Sequence, residues 1–280
     1  MMTQALKLMG IGEKFSYLAF DIAPTDLGAA MAGLSVLRCA GANVTVPHKR
    51  AVLEHCSMID DDARRIGAAN VLVASAAGFS AHNTDAPAAA RALAEHGVAM
   101  ANKHAVIIGS GGSARAVAVG LAREGLRELS VLARNVSDAH AVIRTTSGLG
   151  LSDAQVYGWT ETDAQRCLSR ADIIVHCTPL GMRQRAADVL DNQRDAHAQN
   201  AYQSLVSWLD FANPHTAAMD LVYSPVRTAW LQRAQSRGLL PIDGLLMLAH
   251  QGSLALTRWC ANSPSVAILR QFLDGDPTAS

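Results

Sequence analysis

Gly109-Ser110-Gly111-Gly112-Ser113-Ala114 constrains this chain more than any other stretch. It follows an apolar run, Ala105 to Ile108, that reads as a strand, and it opens a segment, Ala114 to Glu124, that reads as a helix. Glycines at such a junction let the backbone turn sharply and approach a pyrophosphate, whose charge the helix N-terminus stabilises. With alanine in the third small position the stretch fits the dinucleotide fingerprint, although the bare pattern also fits an ordinary strand-to-helix turn. A second strand, Leu129 to Ala133, completes a βαβ unit and hence a parallel sheet, which strands at Ile173 to His176 and Met219 to Val222 continue. Arg134 ends that second strand. An acidic residue there would take the ribose hydroxyls of NAD, whereas arginine suits a 2′-phosphate and favours NADP, with NAD as the alternative.

The first third alternates helical and strand-like pieces. Ala5 to Gly10 reads as the end of a helix, Tyr17 to Ile22 as a strand, and Asp26 to Cys39 as a helix with an acidic cap. Asn43 to Val46 reads as a short strand stopped by Pro47, and Ala69 to Ser75 with Gly78 to Ala81 as a hairpin. Asp85 reads as the cap of an alanine-rich helix reaching His96. The stretch from Arg183 to Ala218 is polar and long for a connection, with an amphipathic helix expected around Tyr202 to Leu209.

Charge narrows the partners. Lysine plus arginine equals aspartate plus glutamate at 24 each, so no general attraction to nucleic acid or a membrane surface is expected. No apolar run approaches bilayer length, and Met1 to Gly10 lacks the features of a secretory signal. The five cysteines are scattered and never form a CxxC pair, which argues against a disulfide framework or a zinc site and fits a reducing cytoplasm.

A second constellation is Asn43-Val44-Thr45-Val46-Pro47-His48-Lys49, with Asn83-Thr84-Asp85 further on. Taken singly, Lys49 is a solvated turn residue and Asp85 a helix cap. Hydride transfer, however, needs a group that gives or takes a hydroxyl proton, and a lysine with a carboxylate converging on one oxygen can do so. Five further stretches follow in order: Gly67-Ala68-Ala69-Asn70, the glycine turn, Thr178-Pro179-Leu180-Gly181-Met182, Asp220-Leu221-Val222-Tyr223-Ser224-Pro225 and Asp243-Gly244-Leu245-Leu246-Met247-Leu248-Ala249-His250-Gln251. Together the seven resemble the motifs of the shikimate dehydrogenases over nearly the whole chain.

That resemblance implies an α/β fold of two domains. A substrate-binding domain would take residues 1–85 and 243–280, and a Rossmann-type NADP-binding domain 86–242. It implies Lys49 as the acid–base residue, with Asp85 its partner at the substrate hydroxyls. Thr45, Asn70, Tyr223 and Gln251 would line the substrate site. Gly109, Ser110, Gly111, Gly112, Ser113, Arg134, Met182, Leu221, Gly244 and Asp61 would contact the cofactor. The implied reaction interconverts 3-dehydroshikimate and shikimate, a small cyclic hydroxy acid. Quinate or a related cyclitol acid, an impaired nucleotide-binding paralogue and an unrelated reductase are the alternatives, and a homodimer is compatible with the family.

Three departures stand out. Ala133-Arg134-Asn135 replaces the family's Asn-Arg-Thr, and Asp138 stands where a second phosphate-binding cation is expected. His176 replaces a usual asparagine. Met1 to Leu6 aligns with the helix that follows the family's first strand and Ser-x-Ser-Pro segment. From that alignment the chain is expected to be a shortened form of a longer protein, missing roughly 15–25 residues of strand and loop.

Overall fold

The computed structural model describes residues 1–183 and 192–274. Its first part contains α1 (Met2–Leu8), α2 (Leu27–Val36), β1 (Gly41–Asn43), β2 (Met58–Ile59), α3 (Asp61–Ile66), β3 (Val71–Ser75) and β4 (Gly78–His82). The four strands form one sheet in the order β1-β3-β4-β2. The hairpin is as expected: β3 and β4 pair antiparallel from Val71↔His82 to Ser75↔Gly78. The strand before Pro47 is shifted to Gly41–Asn43, and the last bond on this side runs from the Val44 N–H to the Asn70 carbonyl.

Two expectations fail here. Tyr17 to Ile22 is not a strand: apolar β-formers need a ladder partner, and β1 pairs only with β3 among the described residues. The segment is held by other means, the Tyr17 hydroxyl donating to Asn43 Oδ1 and the His48 ring to the Ile22 carbonyl. Asp26 precedes α2, but its side chain accepts no capping bond.

The second part contains α4 (Asp85–Glu95), β5 (His104–Ile108), α5 (Gly112–Arg123), β6 (Glu128–Leu132), α6 (Val136–Thr145), β7 (Asp153–Tyr157), α7 (Glu161–Leu168), β8 (Ile173–His176), α8 (Asn192–Trp208), β9 (Ala217–Asp220), α9 (Ala229–Ser236) and β10 (Leu240–Ile242). All six strands lie in one parallel sheet, ordered β10-β9-β8-β5-β6-β7. Read from the other edge this is the doubly wound order, with its switch point between β5 and β8. The strand expected at Met219 to Val222 lies two residues earlier, and the helix expected from Ala114 begins at Gly112. The amphipathic helix expected near Tyr202 belongs to the longer α8, while residues 184–191 of that connection lie outside the described residues. No described helix is long and apolar enough to cross a membrane.

The chain returns with α10 (Gly244–Cys260) and α11 (Val266–Asp274). α10 packs on α4 and on β3, so the first sheet, the returning helices and α4 share one junction. Asp243 starts α10: its Oδ1 accepts the Leu245 N–H at 2.9 Å, and Arg270 grips both oxygens at 2.7 and 2.9 Å. Burial pushes this carboxyl up, but Arg270 and the Leu245 amide together pull it below the usual range. A depressed carboxyl contributes stability above its unfolded pKa of about 3.9 and loses it as pH falls through the lower folded value. Asp243→Asn is therefore expected to destabilise the fold by about 1–3 kcal/mol at neutral pH. In urea melts the gap from the parent should narrow below about pH 4.

Candidate active site

Lys49 sits two residues after the family-like turn at Val46-Pro47, and Asp85 in the first turn of α4. They meet across 36 residues of sequence, Lys49 Nζ lying 2.6 Å from Asp85 Oδ2. Asp85 is buried and does not cap its helix. The cap is Asn83, whose Oδ1 accepts the backbone N–H groups of Asp85 at 3.0 Å and Ala86 at 3.2 Å. Asn83 thereby frees the Asp85 carboxylate for other donors. Its second oxygen lies 2.8 Å from Asn70 Nδ2, and the two hydrogens of that amide are shared among it, Gln251 Oε1 at 2.8 Å and Thr84 Oγ1 at 2.9 Å. Asn70 is buried and locked, its Oδ1 taking the Thr84 N–H at 2.7 Å.

Lys49 also donates to Ser113 Oγ at 3.2 Å, which brings the ammonium to the start of α5. At the turn before it, Gly109 has φ +114°, and a Cβ there would lie 3.0 Å from Thr178 Cγ2. Beside Gly111 a Cβ would meet nothing within 4 Å. Gly111 is also the residue preceding α5, so no side chain caps the first helical N–H groups. Glycine backbone, open space and an uncapped helix N-terminus at the switch point form the cradle that a pyrophosphate needs.

Around Arg134, which is exposed, the charge pattern differs from the sequence expectation. Asp138 is not alone: Arg50 Nη1 stands 3.7 Å from its Oδ1. Arg115 lies nearby, half-buried, with no partner for its Nε, and its guanidinium is pushed down first by burial and then by Arg50 and Arg144. A second guanidinium thus stands beside the position where a cation was missing.

The remaining expected residues divide. Gly244 is needed for close approach, since a Cβ would lie 2.9 and 3.0 Å from the carbonyl oxygens of Asp220 and Leu221. Tyr223 is exposed yet close enough to Tyr17 to raise its phenol, after the larger effect of burial. Met182 and Thr45 are exposed. Asp61 is exposed in the first turn of α3, where Asp60 provides the cap and Asp62 pairs with Arg123, and among the described residues nothing joins it to the cluster. Sequence reasoning missed the Lys49–Ser113 link and the capping role of Asn83. The latter was signalled by an Asx residue two places before the carboxylate.

Residues 1–72 match the shikimate dehydrogenase substrate binding domain, and residues 91–221 match the shikimate / quinate 5-dehydrogenase domain. A shikimate dehydrogenase (NADP(+)) of Moorella thermoacetica is 37% identical over 262 residues, covering 94% of this chain and 83% of that protein. A crystal structure of shikimate 5-dehydrogenase from Thermus thermophilus in complex with NADP(H) and shikimate superposes with a TM-score of 0.75 at 28% identity, over 96% of this chain and 91% of that one. The enzyme from Listeria monocytogenes, solved with shikimate and NAD, shares the fold at a TM-score of 0.79 and 24% identity, over 96% and 89%. With two domain models spanning most of its length and this degree of identity, the chain belongs to the shikimate dehydrogenase family.

Proposed function

We propose that this protein interconverts 3-dehydroshikimate and shikimate with NADP(H), Lys49 carrying the hydroxyl proton. The observation that carries the reading is the cluster of Lys49, Asp85, Asn70 and Gln251 beside Ser113 of the glycine turn. It puts a proton carrier and substrate-type donors against the cradle for a dinucleotide. The glycine turn and the N-terminus of α5 would hold the pyrophosphate, and Arg134 the 2′-phosphate, with Arg50 held against Asp138. When bound, the nicotinamide supplies or accepts the hydride.

The protein's own part is the proton. Lys49 gives a proton from Nζ to the oxygen of the ketone as it becomes a hydroxyl, and takes one in the reverse direction. Asp85 holds the ammonium in place and accepts from a neighbouring hydroxyl of the ring. Gln251 carries an amide that can donate to the same polyol edge, while Asn70 holds Gln251 and Asp85 in place. The roles of Thr45, Tyr223, Met182, Leu221 and Gly244 follow the family resemblance and belong to this proposal, as do domain boundaries at 1–85, 86–242 and 243–280. Purified protein mixed with NADPH and 3-dehydroshikimate should consume the reduced nicotinamide. No consumption, with NADPH binding intact, would refute the reading.

Cofactor choice gives a second check. Arg134→Asp replaces a phosphate partner by a repelling charge, so NADPH affinity should fall by about 1.5–3 kcal/mol while NADH affinity stays nearly constant. Titration of nicotinamide fluorescence measures both. Equal losses for the two cofactors would remove Arg134 as the selector.

A further inference from the structure

His176 ends β8 and Asp220 ends β9, and both are fully buried. His176 Nδ1 lies 2.9 Å from Asp220 Oδ1, and Nε2 lies 2.6 Å from Thr178 Oγ1. A carboxylate only accepts, so Nδ1 carries a hydrogen toward Asp220, and Nε2 shares the second hydrogen bond with the Thr178 hydroxyl. The hydroxyl oxygen accepts the Leu180 N–H, at 3.2 Å. Asp220 is itself anchored by the Val222 N–H at 3.0 Å and the Thr228 hydroxyl at 2.7 Å. The Trp230 ring lies 5.6 Å from the imidazole, closing it off. The His176 ring thus spans from a fixed carboxylate to the first turn of a loop.

The loop it reaches borders the crevice. Residues 178–182 leave β8 at the switch point, where open parallel sheets bind their ligands. Thr178 Cγ2 packs against Gly109 of the glycine turn, and the Arg183 N–H ties the far end of the loop to the Ser224 carbonyl at 2.8 Å. Just before the loop stands Cys177, of intermediate exposure; desolvation, then Asp220 and Asp85, push its thiol up, and Lys49 opposes them. The loop therefore starts within the electrostatic reach of the Lys49–Asp85 pair.

We propose that His176 is a positioning residue for the reaction: held by Asp220, it orients the Thr178 hydroxyl and fixes the 178–182 loop against the glycine turn at the reacting end of the crevice. The inference rests on the dehydrogenase reading above for its effect on turnover, but the ordering of the loop is a property of the protein alone. His176→Ala and Thr178→Val both remove the link; His176→Gln keeps a donor and an acceptor on one side chain and should rescue it in part.

The test combines amide hydrogen exchange of the free protein with kinetics. In both disrupting variants the amides of 178–183 should exchange about tenfold faster or more. The value of kcat should fall on the order of 10–100-fold, as for misplaced reacting groups, with KM for 3-dehydroshikimate within a few-fold of the parent. The primary isotope effect with 4-deuterated NADPH should rise as hydride transfer becomes limiting. Thr178→Val is close to isosteric and decides the matter where the histidine variant does not fold. Parent-like exchange and isotope effect in Thr178→Val would overturn the proposal, as would a His176→Ala protein that only melts earlier. A parent that binds NADPH but reduces no 3-dehydroshikimate would instead refute the dehydrogenase reading, and the exchange rates alone would then judge His176.

Discussion

Lys49→Ala is expected to lower kcat for 3-dehydroshikimate reduction by about two to four orders of magnitude, the usual worth of a positioned acid–base group. NADPH affinity should change little, because the Lys49 ammonium reaches the glycine turn through Ser113 Oγ and its stem packs beside Gly112. The loss should appear in kcat; a variant with unchanged kcat and a raised KM would make Lys49 a binding residue instead. Stability is a separate matter. Removing the ammonium leaves the Asp85 carboxylate, 3% exposed, without its cation, and breaking such a pair destabilises by about 3–5 kcal/mol. Adding Asp85→Asn to Lys49→Ala should restore much of the melting temperature and none of the turnover. Recovery of both together would mean that the lysine acts only by holding the fold.

That separation also shows why the site was legible in outline but not in its wiring. Lys49, Asp85, Asn70 and Gln251 were named from motifs, and the structure brings them within one hydrogen-bonded cluster. Their spacing in the chain, up to 181 residues between Asn70 and Gln251, says nothing of who donates to whom. The local reading of Asp85 as a helix cap was reasonable chemistry for an acidic residue at that place. Asn83 won because its shorter reach from the preceding turn satisfies two amides at once, releasing a carboxylate that local rules would have spent on the backbone. Asp138 has a distant partner that the sequence did not suggest: Arg50, 88 positions earlier and next to the lysine, stands 3.7 Å from its carboxylate.

The fold followed the same division. Apolar runs buried on both faces of a parallel sheet were found, Ile173–His176 at its observed bounds and Met219–Val222 two residues late. Edge strands were not. β7 (Asp-Ala-Gln-Val-Tyr) is polar and only partly buried, and β10 is three residues long with a proline at its centre, which an edge position tolerates. Tyr17 to Ile22 has the composition of a strand and lacks the ladder, a fact that depends on neighbours no local pattern encodes.

Gly120→Ala is expected to give the largest loss of stability among single methyl additions to a helix interior here. α4 and α5 cross at Gly120, where a Cβ would stand 2.3 Å from the Ala86 carbonyl oxygen and 3.0 Å from its carbon. Both are backbone atoms, so no rotamer change relieves the overlap and the helices must part. Overpacking of this kind costs about 1–3 kcal/mol or more, against about 1 kcal/mol gained from replacing a helical glycine by alanine. The clash wins, because the propensity gain is fixed while the overlap is well inside any real carbon–oxygen contact. Gly33→Ala supplies the control: it lies within α2 with nothing within 4 Å of the added methyl, so only the propensity gain remains and the protein should be stabilised. Thermal melts should therefore move in opposite directions for the two variants. Activity adds a second readout, since Ala86 directly follows Asp85, and shifting α4 moves the carboxylate away from Lys49. A displacement near 1 Å can cost on the order of a hundredfold in turnover. Gly120→Ala should thus lose kcat as well as stability, whereas Gly33→Ala should keep the parent's kcat. If both variants were equally stable and equally active, α4 would not be seated on Gly120 and the placement of Asp85 would need another support.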